Sequence, residues 1–325
     1  MRLFAIVTAY HPDDRLTAVV ESALEDCERV VVSDNTPAGE PSLAEKLLDP
    51  RVTVLRDGRN LGLGGALNRG LAALPEPAGD AADEAVLLLD QDSVLPAGLA
   101  RGLAAHLAAD ASIGAAAPTP WDEEAEAYYS SAGRQQGIAE RFTVITSGML
   151  LRRSTQAATG PFREDFFVDF IDIEFCMRLR RTGAKIVQDW AQKLPHTMGD
   201  RREHRIGPWR IRVSHYPAWR HYWIARNSLR VNADNFREHP GAFIASGRYL
   251  TQRFLGAVLY MPPRGRQVLA LARGVRDGLT GHTSRRYLPP GAHLAGKGAG
   301  SAAQAGPGPS AGTAPGASAQ RPAQR

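Results

Sequence analysis

Short apolar runs closed by polar residues recur along the first half of the chain: Leu3 to Val7 before Thr8, Val30-Val31-Val32 before Ser33-Asp34-Asn35, Val52 to Leu55, and Ala85 to Leu89 before Asp90-Gln91-Asp92-Ser93. Runs of this length bounded by turn residues read as strands buried on both faces, although periodicity alone does not separate them from short buried helices. Between them, Leu16, Val19, Val20 and Leu24 recur at helical spacing, and Asn60 to Gly70 is a glycine-rich turn opening a helix. The resulting order, β-α-β-α-β-α-β, predicts a doubly wound parallel sheet with right-handed crossovers.

Further along, the pattern predicts a helix over Leu95 to Ala109, a small-residue strand over Ile113 to Ala117 and a glycine-interrupted strand over Val144 to Leu151. A helix is expected from about Asp172 to Thr182, with Asp172 near its N-cap, arginines in its last turn and Gly183 just past its end. Pro217 to Val231 reads as a helix whose aromatic stripe, Trp219, Tyr222 and Trp223, fits a core better than a sugar-stacking face. Beyond Gly241, apolar residues alternate with arginines in two helical segments split by Pro262-Pro263. From Pro289 the chain is rich in Gly, Ala, Pro and Ser, a composition expected to be disordered. The expected organisation is a catalytic body over residues 1–240, a basic amphipathic helical extension over 241–288 and a disordered tail over 289–325.

Length and charge sharpen this picture. A chain of 325 residues can bury a large core. Its two cysteines, Cys27 and Cys176, are far apart and form no CxxC, so a reduced, cytoplasmic protein is the default. The apolar run after Met1-Arg2 is too short for a signal sequence, and no segment has the length of a membrane span. From Pro240 onward there are eleven Lys and Arg against the single acid Asp277, a net +10, which leaves the first 239 residues at −5. That asymmetry suits a tail lying on an anionic membrane surface, such as the inner face of the plasma membrane, beside a neutral-to-acidic body. Nucleic-acid binding is not expected, because the basic residues gather without a recognised module.

The candidate chemistry begins at Asp90-Gln91-Asp92. Open parallel sheets bind ligands beyond the carboxyl ends of their strands, and two aspartates there either hold a hard divalent cation or simply make a turn. The glycines after the third strand serve either close helix packing or backbone amides approaching a diphosphate; the GxGxxG of a dinucleotide site is missing after the first strand. Asp172 either caps its helix or accepts a proton, the helix N-terminus favouring its ionised form. Arg220 and Arg226 are candidate phosphate contacts or members of a solvated face. Trp121 to Arg141 is polar and irregular, as a mobile acceptor-side loop would be.

Taken together these segments resemble the inverting family 2 glycosyltransferases with a GT-A fold, a Rossmann-like, mostly parallel sheet with flanking helices, and among them the bacterial rhamnosyltransferase-like branch. The resemblance covers about residues 2–232. It rests on ordered landmarks: Ile6 to Tyr10, Ser33-Asp34-Asn35, Asn60 to Gly70, Asp90-Gln91-Asp92-Ser93, Ser147-Gly148, Phe167 to Arg178, His196, and Arg220-His221-Tyr222-Trp223 through Arg226-Asn227. It implies that Thr8, Tyr10 and Asp34 line the base and ribose pocket. Asn60, Gly62, Asn68, Gln91 and Arg226 would contact the diphosphate-sugar, and Asp90, Asp92 and His196 would hold Mg²⁺ or Mn²⁺ with the diphosphate. Asp172 aligns with the aspartate of the family's Glu-Asp pair, the general base. The residue before it is Ile171 rather than Glu, which leaves Glu174 and Asp169 as the two candidates for the missing charge.

The function implied is metal-dependent, inverting transfer of a sugar, L-rhamnose from dTDP-rhamnose, to a glycan or lipid-linked acceptor in cell-surface or cell-wall polysaccharide biosynthesis. The alternatives are a GT-A transferase using a galactofuranosyl or hexosyl nucleotide, a sugar nucleotidyltransferase, or a non-catalytic protein that binds a glycan or nucleotide. A nucleotidyltransferase would carry a glycine-rich basic loop after the first strand, where Thr8-Ala9-Tyr10-His11-Pro12 stands. Intact Asp90, Asp92 and Asp172 argue against a non-catalytic role.

Overall fold

The computed structural model describes residues 1–77, 81–122, 127–128, 137–195, 201–206, 209–238 and 240–294. In chain order its elements are β1 (Arg2–Ala9), α1 (Arg15–Asp26), β2 (Arg29–Asp34), β3 (Val52–Leu55), α2 (Gly62–Ala72), β4 (Glu84–Asp90), α3 (Leu99–Ala109), β5 (Ile113–Asp122), β6 (Ala127–Tyr128), β7 (Ile138–Glu140), β8 (Met149–Arg152), α4 (Arg153–Thr159), α5 (Ile171–Arg181), β9 (Lys185–Pro195), β10 (Arg201–Ile206), β11 (Trp209–Ser214), α6 (Ala218–Asp234), α7 (Pro240–Tyr260) and α8 (Arg264–Thr280).

The main sheet runs β3-β2-β1-β4-β8-β5-β9-β7, with β6 paired to β5. Its first half is the parallel, doubly wound sheet that the apolar runs predict. Its second half is mixed: β8 lies antiparallel between β4 and β5, and β9 pairs parallel with β5. Direction is not written in an apolar run, since a strand buried on both faces shows the same residues either way.

Alternation within each strand divides the interior into two layers. Ala5, Val7, Leu87 and Leu89 face α1 and α3, packing on Leu16, Val19, Leu99 and Leu103. Phe4, Ile6, Val86 and Leu88 face α2 and α5, packing on Leu67, Phe175 and Leu179. Each such leucine, once fully buried, contributes about 2 kcal/mol of apolar transfer, so the register of the central strands is strongly specified.

The helices after Gly241 pack onto α6. Leu250, Ala257 and Leu271 join Ala225 and Leu229 in one cluster, and Gly274 permits the close approach, because a Cβ there would sit 2.4 Å from Tyr222 O. Residues 289–294, which composition alone assigns to a disordered tail, are part of the packed body. Ala292 and Leu294 lie against the cluster of Phe167, Tyr222, Trp223 and Tyr287, and Asn60 exchanges backbone hydrogen bonds with Gly291 (3.2 Å) and His293 (2.7 Å). The remainder of the predicted tail lies outside the described residues.

Candidate active site

The carboxyl ends of β1, β2 and β4 lie side by side because those strands are parallel and in register: Thr8 sits opposite Ser33 and Asp90, and Ala9 opposite Asp34. This brings Thr8, Tyr10, Asp34, Asp90 and Gln91 to one rim. The Thr8 hydroxyl donates to the Leu89 carbonyl at 3.4 Å, beside Asp90, and the Tyr10 N–H donates to Gln91 Oε1 at 2.7 Å. Tyr10 is 40% exposed, so its ring is open to a ligand. Asp34 is fully buried. Its Oδ1 accepts from the Thr36 N–H at 2.9 Å, while Oδ2 has no hydrogen bond and only a loose ion pair with Arg56 Nε at 3.5 Å. A buried carboxylate oxygen left without a donor is costly, so it is ready to accept one from a bound base or ribose.

Asp90 and Asp92 flank Gln91 where β4 ends. Burial first, and then the charge of Asp92, push the Asp90 carboxyl up to about 6. Arg15 offsets part of this crowding from 3.6 Å on the Asp92 side. The loop is pinned from below by Ser93, whose hydroxyl shares a 2.6 Å hydrogen bond with Ser147, both buried. Two carboxylates forced together and only partly neutralised fit a hard divalent cation that completes its shell with water and phosphate oxygens. Among the described residues no three His, Cys, Asp or Glu converge on a metal position. His196, the expected third ligand, lies outside the described residues, as does most of the Trp121 to Arg141 loop.

Asp172 lies in the first turn of α5 rather than at its cap, which is Phe170. The preceding loop is strained: Phe167, Asp169 and Phe170 hold φ of 55°, 60° and 65°, values costly for side chains of this size. Strain is maintained by packing, because the Phe167 carbonyl accepts from the Leu63 N–H at 2.7 Å and Asn227 donates to the carbonyls of Phe166, Val168 and Asp169. The Asp172 carboxyl accepts from the Ile173 N–H at 2.8 Å, the stabilisation that a helix start offers. Burial outweighs it, and with the charges of Asp169 and Asp90 added the carboxyl is pushed up to about 6, opposite to the expectation from the helix end alone. The influence of Asp90 puts the two acids in one electrostatic neighbourhood.

Of the two candidates for the missing charge, Asp169 is the one that acts on Asp172 most strongly. Glu174 is buried and tied to Arg178 at 2.7 Å one turn along α5. Asp169 is clamped by both arms of Arg220 at 3.0 and 2.9 Å.

Three expected diphosphate contacts have structural work instead. The Asn68 amide donates to Phe162 O and Glu164 Oε1 and accepts from the Phe162 N–H. Arg226 is 2% exposed, and its guanidinium binds Asp165, Thr283, His282 O and Asn227. Gly62 has φ +71°, and a Cβ there would lie 2.4 Å from Phe167 O. Its glycine is explained by α2 seating on the strained loop, the close-packing alternative. Asn60 keeps its place at the rim, its Oδ1 accepting from the Gly62 N–H at 3.0 Å. Pattern reading passed over Arg69, which links Ser33, Asn35 and Asp57 beneath the pocket; a lone arginine in a glycine-rich helix carries no spacing signal.

The chain is similar to known proteins in sequence and in fold. The family model described as "Glycosyl transferase family 2" matches residues 4–184. The dTDP-rhamnosyl transferase RfbF of Shigella flexneri is 26% identical over 250 residues, 72% of this chain and 80% of that protein. The succinoglycan biosynthesis protein ExoO of Rhizobium meliloti (strain 1021) is 39% identical over 72 residues, 21% of either chain. Among solved structures, the mannosyltransferase PcManGT of Pyrobaculum calidifontis, in complex with GDP-Man and Mn²⁺, superposes with a TM-score of 0.51 at 16% identity over 86% of this chain and 87% of that one.

Proposed function

Because the chain belongs to glycosyl transferase family 2, we propose that it moves L-rhamnose from dTDP-rhamnose to a hydroxyl of a glycan or lipid-linked acceptor, with inversion, in polysaccharide synthesis. The observation that supports the reading is the pair Asp90 and Asp92 at the end of β4, with the charge of Asp90 felt at the buried carboxyl of Asp172. The similarity to a dTDP-rhamnosyl transferase supports the choice of donor.

In this reading Asp34 and Tyr10 receive the nucleoside. Asp90 and Asp92 would hold Mg²⁺ or Mn²⁺, which supplies Lewis-acid neutralisation of the departing diphosphate. Asp172 takes the proton of the acceptor hydroxyl as its oxygen attacks the anomeric carbon from the face opposite the leaving group. A single base on that face gives inversion, and a carboxyl pushed up to about 6 is a better proton acceptor than an ordinary one. The strained loop and the Asp169–Arg220 clamp hold it in position.

A panel of dTDP-, UDP- and GDP-sugars with Mn²⁺ tests the donor. The expected result is that dTDP-rhamnose raises the melting temperature most and is slowly hydrolysed. A larger effect of a UDP-hexose or UDP-galactofuranose would overturn the choice of sugar, and no effect of any donor would overturn transfer itself.

The reading includes contact with an anionic membrane surface. Ile244, Arg248, Leu255, Val258 and Leu259 fall within about 100° of arc on α7 at 3.6 residues per turn, and all are exposed. Exposed Leu269, Arg264 and Arg266 lie at the start of α8. Among the described residues no helix is long and apolar enough to cross a membrane. An apolar strip edged by arginines matches a helix lying in the interface. Sedimentation with phosphatidylglycerol vesicles, reduced at least about fivefold by Leu255→Glu with Leu259→Glu, is the expected outcome; equal sedimentation of the double variant would remove this contact.

A further inference from the structure

Next to Asp169, the segment leading into α6, α6 itself and α7 bring together a cluster that the transfer reaction as described does not use. The Tyr216 ring carries the guanidinium of Arg220 at 4.3 Å and that of Arg253 at 5.2 Å. Arg253 also lies 5.0 Å from the ring of Tyr249, which in turn meets Phe170 edge to face at 6.3 Å. His221, fully buried, lies 6.2 Å from Tyr216, and neither of its ring nitrogens has a hydrogen-bond partner.

The charges of this cluster do not balance. Arg220 is paired with Asp169, but among the described residues no carboxylate pairs with Arg253. The chain from Pro240 onward offers only Asp277, which is bound to Tyr222 and Arg276. The rings of Tyr216 and Tyr249 restrain the planar fork of Arg253, and although the Tyr249 hydroxyl feels the guanidinium, its five N–H groups and half-buried position leave donors for an anion. Such a fork is suited to two parallel hydrogen bonds with a phosphate. The cluster is joined to the site through Asp169, which pairs with Arg220 and whose charge is felt by Asp172.

We propose that Arg253, with Arg220 and the Tyr216 and Tyr249 rings, forms a subsite for a phosphate group on the acceptor, linked to the Asp172 segment through the Arg220–Asp169 pair. This rests on the transferase reading and names the class of acceptor: a molecule carrying a phosphate near the hydroxyl that attacks, either a lipid phosphate or a soluble sugar phosphate.

The full chain, saturated with dTDP and Mn²⁺ so that the donor site is filled, is titrated with farnesyl phosphate, with a soluble sugar 1-phosphate, and with farnesol and the free sugar as controls. Binding of either phosphate, absent for its unphosphorylated control and weakened at least about tenfold in Arg253→Gln, is the expected result. Farnesyl phosphate alone binding identifies a lipid acceptor; the sugar phosphate binding equally identifies the phosphate itself as the recognised group. Arg253→Lys keeps the charge and the packing stem, so it should retain part of the affinity that Gln loses and thereby separates recognition from misfolding. Equal binding of phosphate and control, or affinity unchanged in Arg253→Gln, overturns the subsite. Donor binding by the wild-type chain is measured in parallel: its loss would count against the transferase reading, whereas its retention alongside a negative phosphate result removes the subsite alone.

Discussion

Replacing Asp172 with Asn is expected to lower the transfer rate by about 10²–10⁴-fold, the range contributed by a positioned proton acceptor, while donor affinity stays near that of the wild type. The substitution keeps the shape and the Ile173 N–H bond but removes the basic oxygen. It is also expected to raise the melting temperature. Burial pushes the carboxyl above the ordinary carboxylate range, up to about 6, in the folded protein. Its raised value therefore favours the folded state below about pH 4, and this contribution is lost as pH rises through about 6. At pH 7.5 the wild type carries a buried charge that the amide does not. Loss of activity with equal or higher stability is the pattern of a functional group held at a cost, whereas full turnover by the variant would remove Asp172 from the reaction.

The same cause fixes the pH profile. With Asp172 acting as the base, the rate should fall as pH drops through about 6. Asp169→Asn removes a like charge and frees Arg220, and both changes favour the ionised form of Asp172. The acidic limb should then move to lower pH even though the rate at pH 8 falls with the lost positioning. An unmoved limb would show that another group titrates.

How much of this was legible in the sequence follows from the kind of signal each feature leaves. The parallel half of the sheet was readable because β1, β2, β3 and β4 are apolar runs ending in polar residues, and the parallel register then places Thr8, Asp34 and Asp90 together. β9 was not readable, since Lys185–Pro195 mixes charged and apolar residues on its way to the sheet edge. A side chain's partner leaves no local trace either. Asn68 and Arg226 look like ligand contacts in a motif, yet both are spent on the loop from Phe162 to Asp169 that carries Asp172 toward the cleft. The packed segment at 289–294 escapes a compositional reading because a few bonds to one backbone, that of Asn60, hold it.

Asp90→Asn combined with Asp92→Asn is expected to abolish the cation dependence of donor binding. In the wild type, Mn²⁺ together with dTDP at about 100 times its dissociation constant contributes about 2.7 kcal/mol to the folded state, which in a chain of this size raises the melting temperature by about 4 °C. Nucleotide without cation should give little, because the two carboxylates at the end of β4 then repel the diphosphate; burial and their mutual charge have already pushed Asp90 up to about 6. The double amide removes that repulsion together with the ligands. It should bind dTDP weakly and equally with or without Mn²⁺, by way of Tyr10 and Asp34 alone, and transfer should fall below detection. Ser93 and Ser147 sit directly behind the loop and keep their 2.6 Å bond, so the variant tests ligation rather than folding. A wild-type chain whose dTDP affinity is indifferent to Mn²⁺, Mg²⁺ and chelator would leave Asp90 and Asp92 as turn residues, and neutralisation of the leaving group would have to come from a side chain such as Arg15, which lies beside Asp92.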